Sequence, residues 1–551
     1  MYMERVIFRQ IACLLVVLAI GWSERTSFAQ TAADDDYITH LINAAAFGHG
    51  QEGQPEQAIN LTLDDALERT LERNLDIAVQ RLVPLVFDLN IAERQSFYRP
   101  ILSTDFGNTS QITPSRTQLD GGRSVETASA TFNSTVGQPV PWGGGNFDVS
   151  WNNNRLETTN FFSSFNPSYR SSFAASYTQP LMRGFKIDTA RQQLAITRIN
   201  RDISDVDLRE TITNTLTDVR TAYWELRYAV AAVDVQRQAL ELAEQLVRDN
   251  QARVEIGTLA PIDIVQAQSE AAARRQSLAL AEQNLRTAEL TLKRFLVDGT
   301  EDELWRARLN PVDQPAISYN PIDIEAAVRT ALDQRTDLTR ARRQRDINNV
   351  NVRTLRNNTL PALDLVGTYQ LQGQGGTRFT RQGLGGAVGL IIPGGFGDAI
   401  DQLVDVDFPT WTLQLQLNYP LGQSAAGAAY ARSRLELQQT EAQMRQIELQ
   451  IATDVTSAAL QIDSIQKRIE AAAAARALAD EQLAAEESKF EVGQSTNFFV
   501  VQAQRDLATA QDTELRAILD YQNALIEFER AQQTSLTRAG ISIVGTGGGG
   551  Q

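Results

Sequence analysis

The sequence predicts an α+β membrane protein: very long helices continuous with a transmembrane β-barrel, the plan laid out twice in one chain. Three observations predict it. Phe185 to Ile256 runs 72 residues without a glycine or proline, between Pro180 and Gly184 on one side and Gly257 and Pro261 on the other. Ala428 to Val492 does the same over 65 residues, after Pro420 and Gly427 and before Gly493. Ahead of each run the apolar residues change to a period of two, as in Trp411, Leu413, Leu415, Leu417 and Tyr419. Proline breaks a helix interior and glycine weakens it, so each unpunctuated run reads as one helix. At 1.5 Å per residue the first would reach about 108 Å. A globular core cannot bury such an object. It belongs to a coiled coil or forms the wall of something long.

The duplication shows in register as well as in length. An offset of 261 carries Leu63-Asp64-Asp65-Ala66-Leu67 onto Ile324-Glu325-Ala326-Ala327-Val328, and Pro100 onto Pro361. An offset of 236 carries Glu255-Ile256-Gly257 onto Glu491-Val492-Gly493, and Gln266-Ala267-Gln268 onto Gln502-Ala503-Gln504. Two homologous halves of about 240 residues follow from these matches.

Residues 1–29 read as a secretory signal peptide. Arg5 and Arg9 form its positive start, Ile11 to Ile20 is apolar, and Ser27-Phe28-Ala29 ends it with cleavage expected after Ala29. Cys13, the only cysteine, lies inside it, so disulfides, thiolate chemistry and cysteine metal sites are excluded from the mature chain. The net charge of −16 disfavours a nucleic-acid partner. Both histidines, His40 and His49, fall in a polar leader, residues 30–60, leaving no constellation for catalysis or a metal. No later stretch has the 18 or more apolar residues of a spanning helix, so a membrane could be entered only as a β-barrel.

The first half, 61–298, opens with a helix that Thr62 or Asp64 can cap. Asn74 and Pro84 predict a break or kink in it before Pro100. A weak strand follows, then alternating sets Ala128/Ala130/Phe132, Phe147/Val149/Trp151 and Phe173/Ala175/Tyr177. Pro139 to Gly145 is a strong turn signal, so this half has room for two hairpins, with the extra one either in the barrel wall or folded over its mouth. The second half, 321–530, has one hairpin: a strand through Leu363, Leu365, Gly367, Tyr369 and Leu371, a long Gly-rich outer loop, and the strand ending at Tyr419. Aromatic strand ends at Trp142, Trp151, Trp411 and Tyr419 favour a membrane over a soluble sheet. Each long helix turns at its glycine and returns through a shorter one, 262–297 or 498–530. Helices 62–99 and 322–360 complete the climb, and a Pro-bearing linker, 299–320, lies at mid-height as a girdle. Residues 531–551 are a Gly-rich tail. Two open hairpins and four columns close no cylinder alone, so the chain needs copies of itself.

From Leu61 to about Phe528 the sequence resembles the TolC-like outer-membrane efflux proteins. The resemblance rests on the turns Val254 to Asp263 and Phe490 to Asn497, on Gln179-Pro180-Leu181-Met182-Arg183-Gly184, and on the Pro100/Pro361 pair. It implies a homotrimer whose β-barrel sits in outer-membrane lipid and continues into a long periplasmic α-helical barrel. The tip would join a periplasmic adaptor and, through it, an inner-membrane pump, with no cofactor. Ile256, Gly257, Thr258, Val492, Gly493 and Gln494 are the implied adaptor contacts. Asp263, Gln266, Phe498, Phe499 and Gln502 are the candidate pore constriction. Family members often carry acidic residues where this chain has Phe499 and Gln502, so an apolar ring would replace an acidic one; Asp263 keeps the acid in the first half. A structural or adhesive trimer without transport is the alternative. It would show one uninterrupted heptad stalk, whereas strands interrupt both halves here. An enzyme would need groups this chain lacks, because pairs such as Asp64-Asp65 at helix starts serve the helix dipole.

Overall fold

The computed structural model describes residues 58–115, 122–317, 321–383, 386–422 and 424–535. The expected signal peptide, the leader as far as residue 57 with both histidines, and the tail from residue 536 lie outside them.

Strand β1 (Ala58–Leu61) leads into α1 (Leu63–Arg73) and α2 (Leu75–Ser96). Thr62 caps α1 in a capping box: its hydroxyl accepts the Asp65 N–H at 3.1 Å. The break is at Asn74, whose Oδ1 accepts the N–H groups of Asp76 and Ile77 at 3.0 and 3.1 Å. At Pro84, the other position where the sequence predicts a break or kink, the helix is not interrupted. The proline lies inside α2, where it removes one backbone donor, and the helix packs along its neighbour.

That neighbour is α3 (Thr189–Glu255), 67 residues long. It starts four residues later than the sequence suggests, because Asp188 caps it by accepting the Arg191 N–H at 2.8 Å. Helix α4 (Pro261–Leu296), 36 residues, returns beside it with proline at its first position, where no intrahelical donor is needed. The girdle contains α5 (Glu303–Arg306) and β6 (Arg308–Pro311), which pairs with β1. It is fastened midway along α3. Tyr223 is fully buried there, its hydroxyl 2.8 Å from Asp313 Oδ2, and the same oxygen accepts the Leu63 N–H at 2.7 Å. Burial first, then the Asp313 carboxylate, push the Tyr223 phenol well above its usual range. Leu216, Leu226, Leu292, Leu296, Leu304 and Leu309 pack around this knot.

The climb of the second half is not one helix from 322 to 360 but two, α6 (Ile324–Gln334) and α7 (Thr336–Asn358). The break at Arg335 is extended, and its guanidinium pairs with Asp337 at 2.7 Å and Asp454 at 3.2 Å. Asp323 caps α6. Helix α9 (Ala425–Glu491) is again 67 residues and α10 (Asn497–Gln532) again 36. Helix α9 begins three residues before the expected Ala428. Ser424 caps it by accepting the Gly427 N–H at 3.1 Å, so that glycine sits harmlessly in the first turn. Among the described residues no helix is long and apolar enough to cross a membrane.

The remaining strands form one antiparallel sheet: β2 (Ile101–Pro114), β3 (Ser124–Pro139), β4 (Asn146–Thr158), β5 (Phe165–Pro180), β7 (Ala362–Arg381) and β9 (Pro409–Asn418), in that spatial order. The four first-half strands therefore share one sheet with the second-half hairpin. The turn at 140–145 closes β3 onto β4, with Gly143 and Gly144 at φ +67 and the Val140 N–H donating to Gly145 O at 2.7 Å. The register puts Val136, Val149, Ala175 and Tyr369 in one row on one face. Thr135, Ser150, Ala174 and Gln370 follow on the other. One face is thus mainly apolar and the other mainly polar, the alternation of a membrane wall.

The segment expected as a long outer loop is partly ordered into β8 (Val388–Ile392) and α8 (Phe396–Val404). Strand β8 pairs with the far end of β7. Between β8 and β9 the edge of β7 is bare, and α8 fills the gap: Gln402 accepts the Gln374 N–H at 2.9 Å and donates to Gln374 O at 3.0 Å. Glycine makes the approach possible, since a Cβ on Gly373 would stand 1.9 Å from Ala399 O. The Gly-rich segment is therefore not all loop: Gly373 and Gly375 lie within β7 as seats for α8. Gly373→Val is expected to displace α8 at a cost of about 1–3 kcal/mol. Limited proteolysis from the outer face should then cut within 386–408 in the variant and spare the parent. Gly397→Ala, whose Cβ meets open space, should leave the cleavage pattern unchanged.

Candidate functional site: the paired helical tips

Helices α3 and α4 meet at residues 256–260, and α9 and α10 meet at 492–496. The two turns are built alike. Ile256 ends α3 at φ −90, ψ 5, and Val492 ends α9 at φ −90, ψ 6. Gly257 and Gly493 follow at φ +75 and +76, the left-handed region that only glycine enters without strain. Thr258 N–H donates to Arg253 O at 2.9 Å and Gln494 N–H to Lys489 O at 2.8 Å, closing a Schellman turn in each. A Cβ on either glycine would meet nothing within 4 Å. Backbone conformation, not crowding, requires glycine here. Ile256 is 74 % exposed and Val492 70 %, and Thr258 and Gln494 are also exposed.

The two tips are fastened to each other. Asn250 and Asn497 are both fully buried, with Asn250 Nδ2 donating to Asn497 Oδ1 at 2.9 Å. The Asp263 carbonyl accepts from both amides, at 3.4 and 3.3 Å. Arg253 donates to Phe490 O at 3.1 Å, and its guanidinium lies 4.5 Å from the Phe490 ring centroid. Leu246, Ala267, Phe490, Val500 and Val501 form the small core above.

Of the five candidate constriction residues, Asp263 takes part in this junction through its backbone and is half-buried. Gln266, Phe498, Phe499 and Gln502 lie on exposed helix faces. The two phenylalanines meet edge to face at 5.6 Å, and Gln502 donates to Asp506 at 2.8 Å. Sequence reasoning missed the Asn250–Asn497 pair and Arg253. A signal existed: Ala239, Ala243, Leu246 and Asn250 share one helical stripe, and the asparagine is its only polar member.

A second tie lies one turn above. Glu270 is 3 % exposed and accepts from Arg274 at 2.7 Å and from Arg505 Nε at 2.9 Å, bridging α4 to α10. Burial alone would raise its pKa, but the hydrogen bonds and charges of Arg505 and Arg274 outweigh that and hold it below the usual glutamate range. Glu487 behaves oppositely: burial first, then the charges of Glu491 and Asp249, push its carboxyl up. Because the folded-state pKa of Glu270 is depressed, its stabilisation is present above the unfolded-state pKa and is lost as pH falls through the folded value. Glu270→Gln is therefore expected to cost roughly 1–3 kcal/mol at neutral pH. A pH series of thermal melts followed by helix circular dichroism should show parent and variant converging at acid pH.

A family model described as outer membrane efflux protein matches residues 144–296 and 327–532. By sequence, no curated protein matches the chain significantly. Several solved structures share the fold. A membrane protein from Pseudomonas aeruginosa aligns with TM-score 0.61 at 14 % identity, over 85 % of this chain and 93 % of its own. The CmeC outer membrane channel of Campylobacter jejuni gives 0.60 at 12 %, over 88 % and 90 %. The open-state MtrE outer membrane channel of Neisseria gonorrhoeae gives 0.58 at 15 %, over 88 % and 93 %. The matched model spans more than half of the chain, both strand-bearing halves and both tips, and the chain belongs to the outer membrane efflux protein family.

Proposed function

We propose that this chain is the outer-membrane exit duct of a tripartite efflux or type I secretion system. Three copies would close their strands into one barrel in outer-membrane lipid and their helices into one periplasmic tube. Each copy would contribute two repeats, 61–298 and 321–530, joined by the girdle at 299–320. The observation that carries the reading is the continuity, within one chain, of a sheet with one apolar and one polar face and two helical hairpins of equal length. Structural neighbours that are outer membrane channels support it.

In this reading the tube conducts passively, and an inner-membrane pump chooses the cargo. The exposed turns at Ile256-Gly257-Thr258 and Val492-Gly493-Gln494 dock the periplasmic adaptor that links tube and pump. Phe498 and Phe499, with Gln266 and Gln502 nearby on exposed faces and Asp263 at the junction, ring the narrow end as a mainly apolar constriction.

Purified protein in a planar lipid bilayer should give discrete, reproducible current steps, and Phe499→Ala should raise the unit conductance. Absence of steps, with insertion confirmed separately, would favour the structural or adhesive trimer. A second measurement addresses docking. Ile256→Glu combined with Val492→Glu should leave conductance and melting unchanged but abolish co-purification of a periplasmic adaptor from cross-linked host membranes.

A further inference from the structure

Besides the short outer strand β8, which pairs only with the far end of β7, the sheet has two free edges. Strand β2 pairs only with β3 and strand β9 only with β7 among the described residues, and every residue of β9 is exposed. Only Thr113 on β2 is even partly shielded. Inside a bilayer these edges would leave rows of N–H and C=O groups without partners, which hydrocarbon does not tolerate. We propose that the β2 edge of one copy pairs antiparallel with the β9 edge of the next, so that each copy contributes six strands and three copies close an eighteen-stranded wall. The proposal rests on the trimeric reading above and adds the strand number, the edges that join and their register.

Direction is satisfied first. The six strands alternate up and down, so the first and last run oppositely and their edges meet as an antiparallel pair.

Register follows from the internal seam between β5 and β7, where Gln179 lies opposite Leu365. Gln179 stands ten residues before the start of α3 at Thr189, and Leu415 stands ten before the start of α9 at Ala425. Leu365 is four residues past Pro361, and Thr104 is four past Pro100. Leu415 of one copy therefore faces Thr104 of the next, Leu413 faces Phe106, and Gln416 faces Ser103.

The faces test this register independently. Leu413 and Phe106 both lie on the apolar face, and Gln416 and Ser103 both lie on the polar face. A slip of one residue would set apolar against polar along the whole seam.

The β2–β3 hairpin is in the wall and not folded across the mouth. Strand β3 occupies the edge of β4 from Asn146 to Thr158, so β4 has no edge to offer a neighbouring copy. The apolar row also runs through the hairpin unbroken: the Phe106 ring lies 4.9 Å from Phe132, and Phe132 lies 5.5 Å from Trp151. Eighteen strands spaced about 4.8 Å apart and tilted about 40° would make a barrel about 36 Å across its backbone, wide enough for an aqueous channel.

Cysteine cross-linking tests this directly, because Cys13 is the only cysteine and precedes the expected cleavage point. Directly opposed antiparallel residues lie within disulfide reach. Ser103→Cys/Gln416→Cys, oxidised with copper phenanthroline in membranes, should run as a covalent trimer on a non-reducing gel. Asp105→Cys/Gln414→Cys should do the same, guarding against a folding defect in either variant. Ser103→Cys/Leu415→Cys, with its thiols on opposite faces, should stay monomeric on the gel. Native mass measurement on the same samples separates the two layers of the argument. A trimeric mass without covalent trimer from either opposed pair overturns the eighteen-stranded wall and leaves the trimer standing. A monomeric mass overturns the trimer itself.

Discussion

A helix of 67 residues presents far more side than its own hairpin partner can cover, and the rest of the structure answers that constraint. Helix α3 is supported by α4 below its middle, by α1 and α2 above it, and by the girdle between them. The knot of Asp313 with Tyr223 and the Leu63 N–H lies where these supports meet. It joins three segments that are distant in sequence, through one carboxylate oxygen. A second core, around Ile451, Ile462 and Tyr521, supports α9 in the same way. Without these mid-height cores the long helices would be isolated rods, whose stability would rest on propensity alone.

At the membrane end the governing requirement is different. Water cannot satisfy the backbone there, so strand pairing must. Within the chain this is met by a continuous register from β2 to β9, and at the outer end by Gln402, whose amide stands in for a missing strand beside Gln374. The same rule that places a side-chain amide against a bare stretch of β7 governs the two outermost edges.

Much of this was legible in the sequence, and for a physical reason. Glycine and proline act locally on the backbone, so the bounds of α3, α4, α9 and α10 could be read from them to within a few residues. Strand alternation in β7 and β9 was equally local. What escaped depends on contacts between distant residues. Glycines at 373 and 375 look like loop residues until Ala399 is seen lying against them. Pro84 looks like a helix breaker until α2 is seen packed on α3. Arg335 carries no breaker signal, yet its extended backbone ends a helix, with its guanidinium paired to Asp337 and Asp454. At the tips the turns were legible because glycine had to be there. The buried Asn250–Asn497 pair needed the fold to bring together residues far apart in sequence.

The two tip turns have nearly the same backbone, from Ile256 and Val492 through the glycines to Thr258 and Gln494, and they differ only in what hangs from it. Shape and label are thereby separated. A ligand that reads the turn's outline finds two interchangeable sockets on every copy. One that reads the hydroxyl of Thr258 against the amide of Gln494 finds two distinct addresses. Side chains at these positions can drift without disturbing the turn, since the glycine geometry holds it. A single frame can in this way serve different clients by changing only its outermost atoms.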